Sequence, residues 1–184
     1  MRRIETRLAG PVLIEPVVHR DARGFFQETY RRTTFADLGI DDVWVQDNHS
    51  RSSRGVVRGI HYQPGMAKLV RCATGAIVDV LVDLRRGSPT FGEWEAFGLD
   101  EENARQLYCP DGFGHAFCVV SDLADVLYKC SAYYEGAAER AIAFDDPEIG
   151  IEWPAGLELK PSERDRGAPA LNAVESSLPF SYGG

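Results

Sequence analysis

The stretch Gly55–Gln63, Gly-Val-Val-Arg-Gly-Ile-His-Tyr-Gln, mixes apolar residues with an arginine, a glycine and a histidine. A strand that only packs a core has no need of Arg58 or His61. Side chains alternate between the two faces of a strand, so a regular strand would separate these two residues. A glycine inside a strand often marks a bulge, and a bulge at Gly59 would bring both to one face. We therefore predict that His61 is a general base, although a lone histidine is also typical of a hydrogen-bonded core position.

Two further residue types suit the removal of a proton next to a carbonyl group. Lys68 follows His61 by seven residues, and a turn at Pro64–Gly65 would let the two strands form a hairpin. A fixed cation there would stabilise an enolate. Tyr128 and Tyr134 lie six residues apart and so share a face of an extended chain. A buried tyrosine facing a cavity can act as a general acid or stack on a ligand. A solvated lysine and core aromatic rings are the plainer alternatives.

Amide and guanidinium groups offer a means of binding a ligand. Gln46 and Asn48 share a face of a strand-like stretch, where two amides could bond a planar ligand such as a base. An edge strand facing water would have the same pattern. Arg23, Arg58 and Arg71 are candidates for phosphate recognition, because a guanidinium pairs well with phosphate oxygens.

A metal site is the main rival interpretation. The stretch Pro110–His115 matches the Pro-x-Gly-x-x-His part of a cupin metal motif. The other part needs His-x-His and a nearby glutamate, whereas the chain has a single histidine at His61. Three or four convergent ligands would be required, and His49, His61 and His115 could supply three of them in principle. We expect no metal, and we keep a metal-dependent cupin, such as an oxygenase, as the alternative. No Gly-x-Ser-x-Gly motif supports a serine hydrolase.

The elements that must position these residues are mostly strands. Short helices are predicted at Thr33–Leu38 and Leu171–Ser176. The predicted strands are Pro11–Val18, Gly24–Tyr30, Val43–Ser50, Val56–Gln63, Lys68–Thr74, Ala76–Leu84, Trp94–Leu99, Gln106–Cys109, Phe117–Val120, Asp125–Cys130 and Arg140–Phe144. The two strands that flank Gly75 are expected to be neighbours. About ten short strands at roughly 8–12-residue spacing predict an all-β sandwich or barrel. No repeat or linker is visible, so residues 1–184 are expected to form one domain.

Charge and composition exclude several functions. The 184 residues carry 20 Lys and Arg against 28 Asp and Glu, a net charge of −8. This acidity argues against a nucleic-acid or membrane-surface role, where basic faces supply the affinity. There is no apolar run near the ~20 residues of a membrane span and no signal-like N-terminus. Cys72, Cys109, Cys118 and Cys130 lie in apolar contexts, so we expect reduced, buried thiols in a cytoplasmic protein.

Nine stretches together resemble one family, the dTDP-4-dehydrorhamnose 3,5-epimerases. They occur in family order, and they are Asp21–Glu28, Val45–Ser50, Val57–Gln63, Lys68–Arg71, Asp79–Arg85, Ser88–Gly92, Pro110–Phe117, Leu127–Lys129 and Ser162–Asp165. Each is weak alone, but nine in order are specific. The resemblance implies a cupin-type jelly-roll β-sandwich, a homodimer, and no metal or redox cofactor.

The resemblance also implies roles for individual residues. His61 would be the base, oriented by Asp165; Lys68 would stabilise the enolate oxygen; Tyr128 would return a proton from the opposite face of the sugar. Positions that bind the nucleotide sugar in the family match Arg23, Glu28, Gln46, Asn48, Arg58, His115, Glu139 and Arg164, and Tyr134 matches an aromatic position that lines the site. The expected substrate is a dTDP-linked 4-keto-6-deoxyhexose, epimerised at C3 and C5.

The chain departs from the family pattern between His61 and Lys68. The family usually has a few more residues there, ending Ala-Gln-Gly-Lys, whereas this chain reads Tyr-Gln-Pro-Gly-Met-Ala-Lys. Relatives with a shorter link act in other deoxysugar pathways, and some invert a single centre. An epimerase of one centre is therefore a second interpretation, and a sugar-nucleotide-binding module without activity is a third.

Overall fold

Strands make up most of the regular structure in the computed structural model, which describes residues 1–183. The strands are β1 (Arg2–Ile4), β2 (Val12–Glu15), β3 (Val18–Asp21), β4 (Gly24–Gln27), β5 (Gln46–Ser53), β6 (Val57–Tyr62), β7 (Lys68–Thr74), β8 (Ala76–Asp83), β9 (Trp94–Asp100), β10 (Gln106–Cys109), β11 (Phe113–Val119), β12 (Leu123–Cys130) and β13 (Arg140–Ala141). The helices are α1 (Arg32–Asp37), α2 (Glu163–Arg166) and α3 (Leu171–Val174), the last followed by a 3₁₀ turn at Glu175–Ser177.

Two antiparallel sheets pack face to face. The first sheet has the order β1-β2-β10-β7-β12-β5, and the second has the order β13-β6-β11-β8-β9. Neighbouring strands are often distant in sequence, as β2 and β10 are, which is the connectivity of a jelly roll. Strands β3 and β4 form a separate hairpin that pairs with neither sheet. The predicted jelly-roll β-sandwich with a few short helices is confirmed.

The main core lies between the sheets. Strand β12 shows how the sequence builds it: Ala124, Val126 and Tyr128 pack inward, while Asp125 and Lys129 alternate with them and point outward. Inward side chains of β7, β8, β10 and β11 complete the same apolar cluster. This alternation is typical of a sandwich with one buried face per strand.

The outer face of the second sheet is also covered. The C-terminal segment packs Ile149, Leu171, Leu178 and Phe180 against it. Because both of its faces are covered, every residue of β11 is buried. On the first sheet, α1 and its flanking residues cover the outer face around β2 and β10. Within residues 1–183, no helix has the length and apolarity needed to cross a membrane.

Two predicted strand pairings are wrong. Lys68 was expected to return in a hairpin beside His61, but β6 and β7 belong to opposite sheets. The strands on either side of Gly75 were expected to be neighbours, and they too lie in opposite sheets. Each connection turns from one layer into the other, and Gly75 makes such a corner at a φ of +74°. Sequence spacing does not distinguish such a corner from a hairpin.

Several predicted bounds differ from the structure. The predicted strand Pro11–Val18 ends at Glu15 as β2, and β3, which starts at Val18, was not predicted. The predicted strand Val43–Ser50 corresponds to β5, which starts three residues later and extends to Ser53. Strand β11 begins at Phe113, ahead of the predicted Phe117, and β13 ends at Ala141. Strand β1 and helix α2 were not predicted, because three or four residues give no detectable periodicity. The four cysteines are buried and unpaired, as predicted.

Candidate active site

Strand β6 carries one extra residue at Gly59. In its pairing with β11, Arg58 lies opposite Phe117 and His61 lies opposite His115. The partners are two apart on β11, whereas the residues themselves are three apart on β6. Residues two apart on a strand share a face, so Arg58 and His61 both face the interior. The predicted bulge is confirmed.

Only glycine fits at the bulge. The φ of Gly59 is +126°, a region that other residues rarely adopt. A Cβ there would lie 2.4 Å from the Cβ of Ala116 on the neighbouring strand. Gly59 therefore permits the backbones of β6 and β11 to approach this closely.

Asp165 holds the ring of His61. The His61 Nε2 and the Asp165 Oδ1 are 2.6 Å apart, with the two side chains 23% and 3% exposed. Asp165 is positioned by α2, where its N–H donates to the Ser162 hydroxyl at 3.1 Å. Burial raises the pKa of Asp165, but the hydrogen bond and charge of His61, together with hydrogen bonds from Ser162 and the Gly59 backbone, lower the pKa below its ordinary value. The ionised carboxylate accepts the Nε2 proton, which leaves Nδ1 as the basic nitrogen.

A second histidine–aspartate pair lies beside the first. His115 is the partner of His61 across β6 and β11, and its Nε2 is 3.0 Å from the Oδ2 of Asp79 on β8. Both side chains are buried. The pair holds the His115 ring inside the sandwich, on the same face of the second sheet as His61.

Lys68 lies on the facing surface of the first sheet. Cys109 on β10 and Cys130 on β12 are its direct partners on either side, so the three side chains form a row. Burial raises the pKa of Cys109 to about 12 and raises that of Cys130 as well, while Lys68 opposes both shifts. The thiols are therefore neutral at neutral pH. No carboxylate in the described part of the chain pairs with the Lys68 ammonium, which leaves its charge available to a ligand.

Tyr128 points into the same space from β12. Burial raises its pKa, Cys130 and Glu139 add to the rise, and Arg58 and Asn48 oppose it. The phenol keeps its proton at neutral pH and can act as an acid. Tyr128 packs against the core between the sheets, and Arg58 faces the same interior from the second sheet, opposite Phe117.

Amide and charged groups line the mouth of this space. The Tyr134 N–H donates to Gln46 Oε1 at 3.0 Å, and Gln46 Nε2 donates to Asn48 Oδ1 at 3.0 Å. The Tyr134 hydroxyl donates to Glu139 at 3.4 Å, and Glu139 also pairs with Arg164, the residue before Asp165. The mouth is therefore connected to the helix that carries the partner of His61.

The structure does not bring Arg23 and Glu28 to this site within one chain. Arg23 lies at the tip of the β3–β4 hairpin, 90% exposed, and Glu28 pairs with Arg31 just after it. Arg20 of the hairpin donates to the carbonyl of Glu102, close to the start of β10. The row that contains Lys68 is at the other end of β10. Arg71 alternates with the inward residues of β7 and faces outward.

The three histidines considered as metal ligands do not converge. His49 lies on the outer face of the first sheet, where its Nε2 is 2.8 Å from Asp125 Oδ1. His61 and His115 face the interior, each with its own aspartate. Residues 1–183 contain no group of three His, Cys, Asp or Glu side chains arranged to hold a metal ion.

Sequence reasoning missed two buried polar residues of this region. Asp79 lies inside the apolar stretch Ala76–Leu84, and a carboxylate in such a stretch was a usable signal for a buried pair. Gln63 follows β6 and is 7% exposed. Its partners are backbone groups of a distant loop, which no local pattern indicates.

The facing sheets of this cupin-type jelly roll present a histidine–carboxylate pair, an unpaired lysine and a protonated tyrosine. These features are typical of cupin-fold enzymes that catalyse acid–base reactions. Residues 5–173 match the family model described as dTDP-4-dehydrorhamnose 3,5-epimerase. The chain belongs to the dTDP-4-dehydrorhamnose 3,5-epimerase family.

Individual relatives agree with this assignment. A dTDP-4-dehydrorhamnose 3,5-epimerase of Pseudomonas aeruginosa is 49% identical over 171 residues, covering 90% of this chain and 94% of that protein. The crystal structure of a dTDP-6-deoxy-D-glucose-3,5-epimerase of Legionella pneumophila, in complex with dTDP-4-keto-L-rhamnose, matches with a TM-score of 0.96 at 42% identity, over 100% of this chain and 99% of that one. A 3'-monoepimerase of Streptomyces bikiniensis, in complex with dTDP-quinovose, matches with a TM-score of 0.92 at 40% identity, over 96% and 92% of the two chains.

Proposed function

We propose that this enzyme epimerises dTDP-4-dehydro-6-deoxyglucose at C3 and C5 to give dTDP-4-dehydrorhamnose. The observation that carries the proposal is that His61, held by Asp165 at 2.6 Å, faces Lys68 and Tyr128 across the sandwich. Base, cation and acid are thereby present in one space. The substrate is already a ketone, so the residues of the chain need only move protons.

The chemistry of a 4-keto sugar fits these groups. His61 removes the proton at C3 or C5, and the electron pair of that C–H bond moves to give an enolate on the C4 oxygen. Lys68 stabilises the negative oxygen, a kind of interaction that typically contributes about 10²–10³-fold. Tyr128 then donates its proton to the same carbon from the opposite face. Each such transfer typically contributes about 10²–10⁴-fold. Before the next transfer, the His61 imidazolium releases its proton to solvent and the Tyr128 phenolate takes one up, so that base and acid are both restored.

The remaining residues suit recognition of the nucleotide. Arg58 and Arg164 supply charge for the diphosphate, and Gln46 and Asn48 offer amides to the base. His115 lies beside the base His61, while Tyr134 and Glu139 line the mouth described above.

We infer a homodimer in which the β3–β4 hairpin of one chain reaches the site of the other. Phe25 and Phe26 of the hairpin are 58% and 72% exposed, and the hairpin has no strand partner in the sheets. Strand β5, which carries Gln46 and Asn48, lies at the edge of its sheet. Its unpaired backbone groups can therefore bond to another chain. A partner hairpin lying against β5 would bring Arg23 and Glu28 to the nucleotide. Light scattering at micromolar concentration should give twice the mass of the chain; a monomer would contradict the inference.

A second candidate is epimerisation at one centre. The likeness to a 3'-monoepimerase and the short link between His61 and Lys68 favour it. Both candidates share the same base and acid, so they differ only in whether C5 is processed.

The buried, unpaired thiols suit a reducing compartment, and we infer a cytoplasmic enzyme of a single domain.

The test is the stereochemistry of the product. Purified protein is incubated with dTDP-4-dehydro-6-deoxyglucose and the products are assigned by NMR. The proposal predicts inversion at C3 and C5, and inversion at C3 alone would support the second candidate. His61→Ala should abolish both inversions. Failure of the native enzyme to convert this or a related 4-keto nucleotide sugar would refute the proposal.

A further inference from the structure

The segment 131–139 joins β12 to β13, and we call it the tyrosine loop because it carries Tyr133 and Tyr134. The side-chain amide of Gln63 bonds to it twice. Gln63 Nε2 donates to the Tyr133 carbonyl at 2.9 Å, and Gln63 Oε1 accepts the Glu135 N–H at 2.9 Å. The amide thus satisfies a backbone group on each side of Tyr134, as the peptide group of a neighbouring strand would.

The start of the tyrosine loop is held by the same piece of chain. Gln63 opens the link 63–67 between β6 and β7, and Ala67 closes it. The Ser131 N–H donates to the Ala67 carbonyl at 3.0 Å, and the Ala67 N–H donates to the Ser131 hydroxyl at 2.8 Å. The link 63–67 is therefore hydrogen-bonded to the tyrosine loop at both of its ends, and the two segments form one unit.

Gln63 has the features of a support for the site. Gln63 is 7% exposed, whereas Tyr134 is 51% exposed on a backbone that is hydrogen-bonded at Tyr134 and at both neighbouring residues. An exposed ring on a fixed backbone loses little freedom when a ligand stacks on it. A buried amide, by contrast, has no part in proton transfer.

We propose that Gln63 is a positioning residue: it holds Tyr134 at the mouth, and the length of the link 63–67 sets where the ring stands. The proposal rests on the proposed function, because the ligand that meets Tyr134 is taken to be the nucleotide sugar. The short link between His61 and Lys68 would thus act on the site through the position of the Tyr134 ring. Gln63 itself touches neither the substrate nor the reacting atoms.

The test is Gln63→Met, which keeps the volume and removes both bonds. The Kd for dTDP and the KM for the nucleotide sugar should rise about tenfold, the order expected for two neutral hydrogen bonds. The kcat should change less than about twofold, because His61 and Asp165 are untouched. Amide hydrogen exchange should quicken at Tyr134 and Glu135. Gln63→Glu keeps the acceptor for the Glu135 N–H but sets a carboxylate oxygen against the Tyr133 carbonyl, so at neutral pH the Kd should rise at least as much as in Gln63→Met. This variant also covers the case in which Gln63→Met does not fold.

Ser121→Ala is the matched control. The Ser121 hydroxyl also bridges two backbone groups, accepting from the Ala76 N–H at 2.8 Å and donating to the Leu123 carbonyl at 2.7 Å, beside the start of β12. Its loss should lower the Tm without changing the Kd for dTDP. The proposal is overturned if Gln63→Met leaves the Kd and loop exchange unchanged, or if it behaves like Ser121→Ala. If the native enzyme binds dTDP but converts no 4-keto sugar, the proposed function is refuted. The role of Gln63 is then still decided by comparing the Kd for dTDP and the amide exchange of the tyrosine loop between Gln63→Met and the native protein.

Discussion

Replacing Asp165 by asparagine tests the base most selectively. The substitution keeps the size of the side chain and an oxygen that can accept the His61 Nε2 proton, but it removes the negative charge. In the native site the carboxylate is 3% exposed and 2.6 Å from Nε2. Its charge stabilises the imidazolium that forms when His61 takes a proton from the sugar.

The magnitude follows from the type of bond. A hydrogen bond to a charged group contributes about 1.5–3 kcal/mol. Burial of Asp165 keeps water from replacing it, which favours the upper part of that range. At 1.36 kcal/mol per factor of ten, kcat should fall by roughly 100-fold, with little change in KM because the charge is needed only once proton transfer begins.

The assay is the rate of solvent deuterium incorporation at saturating substrate, for Asp165→Asn and for Asp125→Asn. Asp125 makes a similar 2.8 Å bond to His49 on the outer face of the sheet, so its loss should affect stability but not turnover. Equal rates for Asp165→Asn and the native enzyme would refute the assignment of His61 and Asp165 as a catalytic pair.

Three further predictions rest on the same structure. Tyr128→Phe should retain proton exchange better than net inversion, since only the return of a proton from the opposite face is lost; equal loss of both, measured by NMR, would contradict its role as acid. Gly59→Ala should lower the Tm and kcat together, because its Cβ would lie 2.4 Å from that of Ala116. Burial raises the pKa of Asp83, but bonds from Arg85, Ser88 and Thr90 lower it below its ordinary value. Asp83 therefore stabilises the fold above about pH 4, and this stability is lost as the pH falls through the lower folded pKa. Acid titration of Asp83→Asn should show a flatter decline in unfolding free energy than the native enzyme.

The parts of the site that follow from local pattern were predictable. Alternation gave the strands that carry Lys68 and Tyr128, and the odd position of Gly59 indicated the bulge that turns Arg58 and His61 to one face. The nine motifs in family order implied the class of substrate, whereas the acidic composition only argued against nucleic-acid and membrane-surface roles.

What depends on contacts between distant segments was not predictable. Whether a short link makes a hairpin or crosses to the opposite sheet is decided by packing, so Lys68 faces His61 across the sandwich instead of pairing beside it. The bonds from Gln63 to the tyrosine loop join residues about seventy positions apart. Helix α2 is too short to be seen in a sequence, although it carries Asp165.

The most direct measurement is the site of deuterium incorporation when the native enzyme acts on dTDP-4-dehydro-6-deoxyglucose in D₂O. The enolate mechanism predicts deuterium at C3 and C5, the two carbons next to the C4 ketone, none at C2, and none at any position with His61→Ala. Absence of label in the native product, or label at the native rate in His61→Ala, would contradict proton transfer by His61.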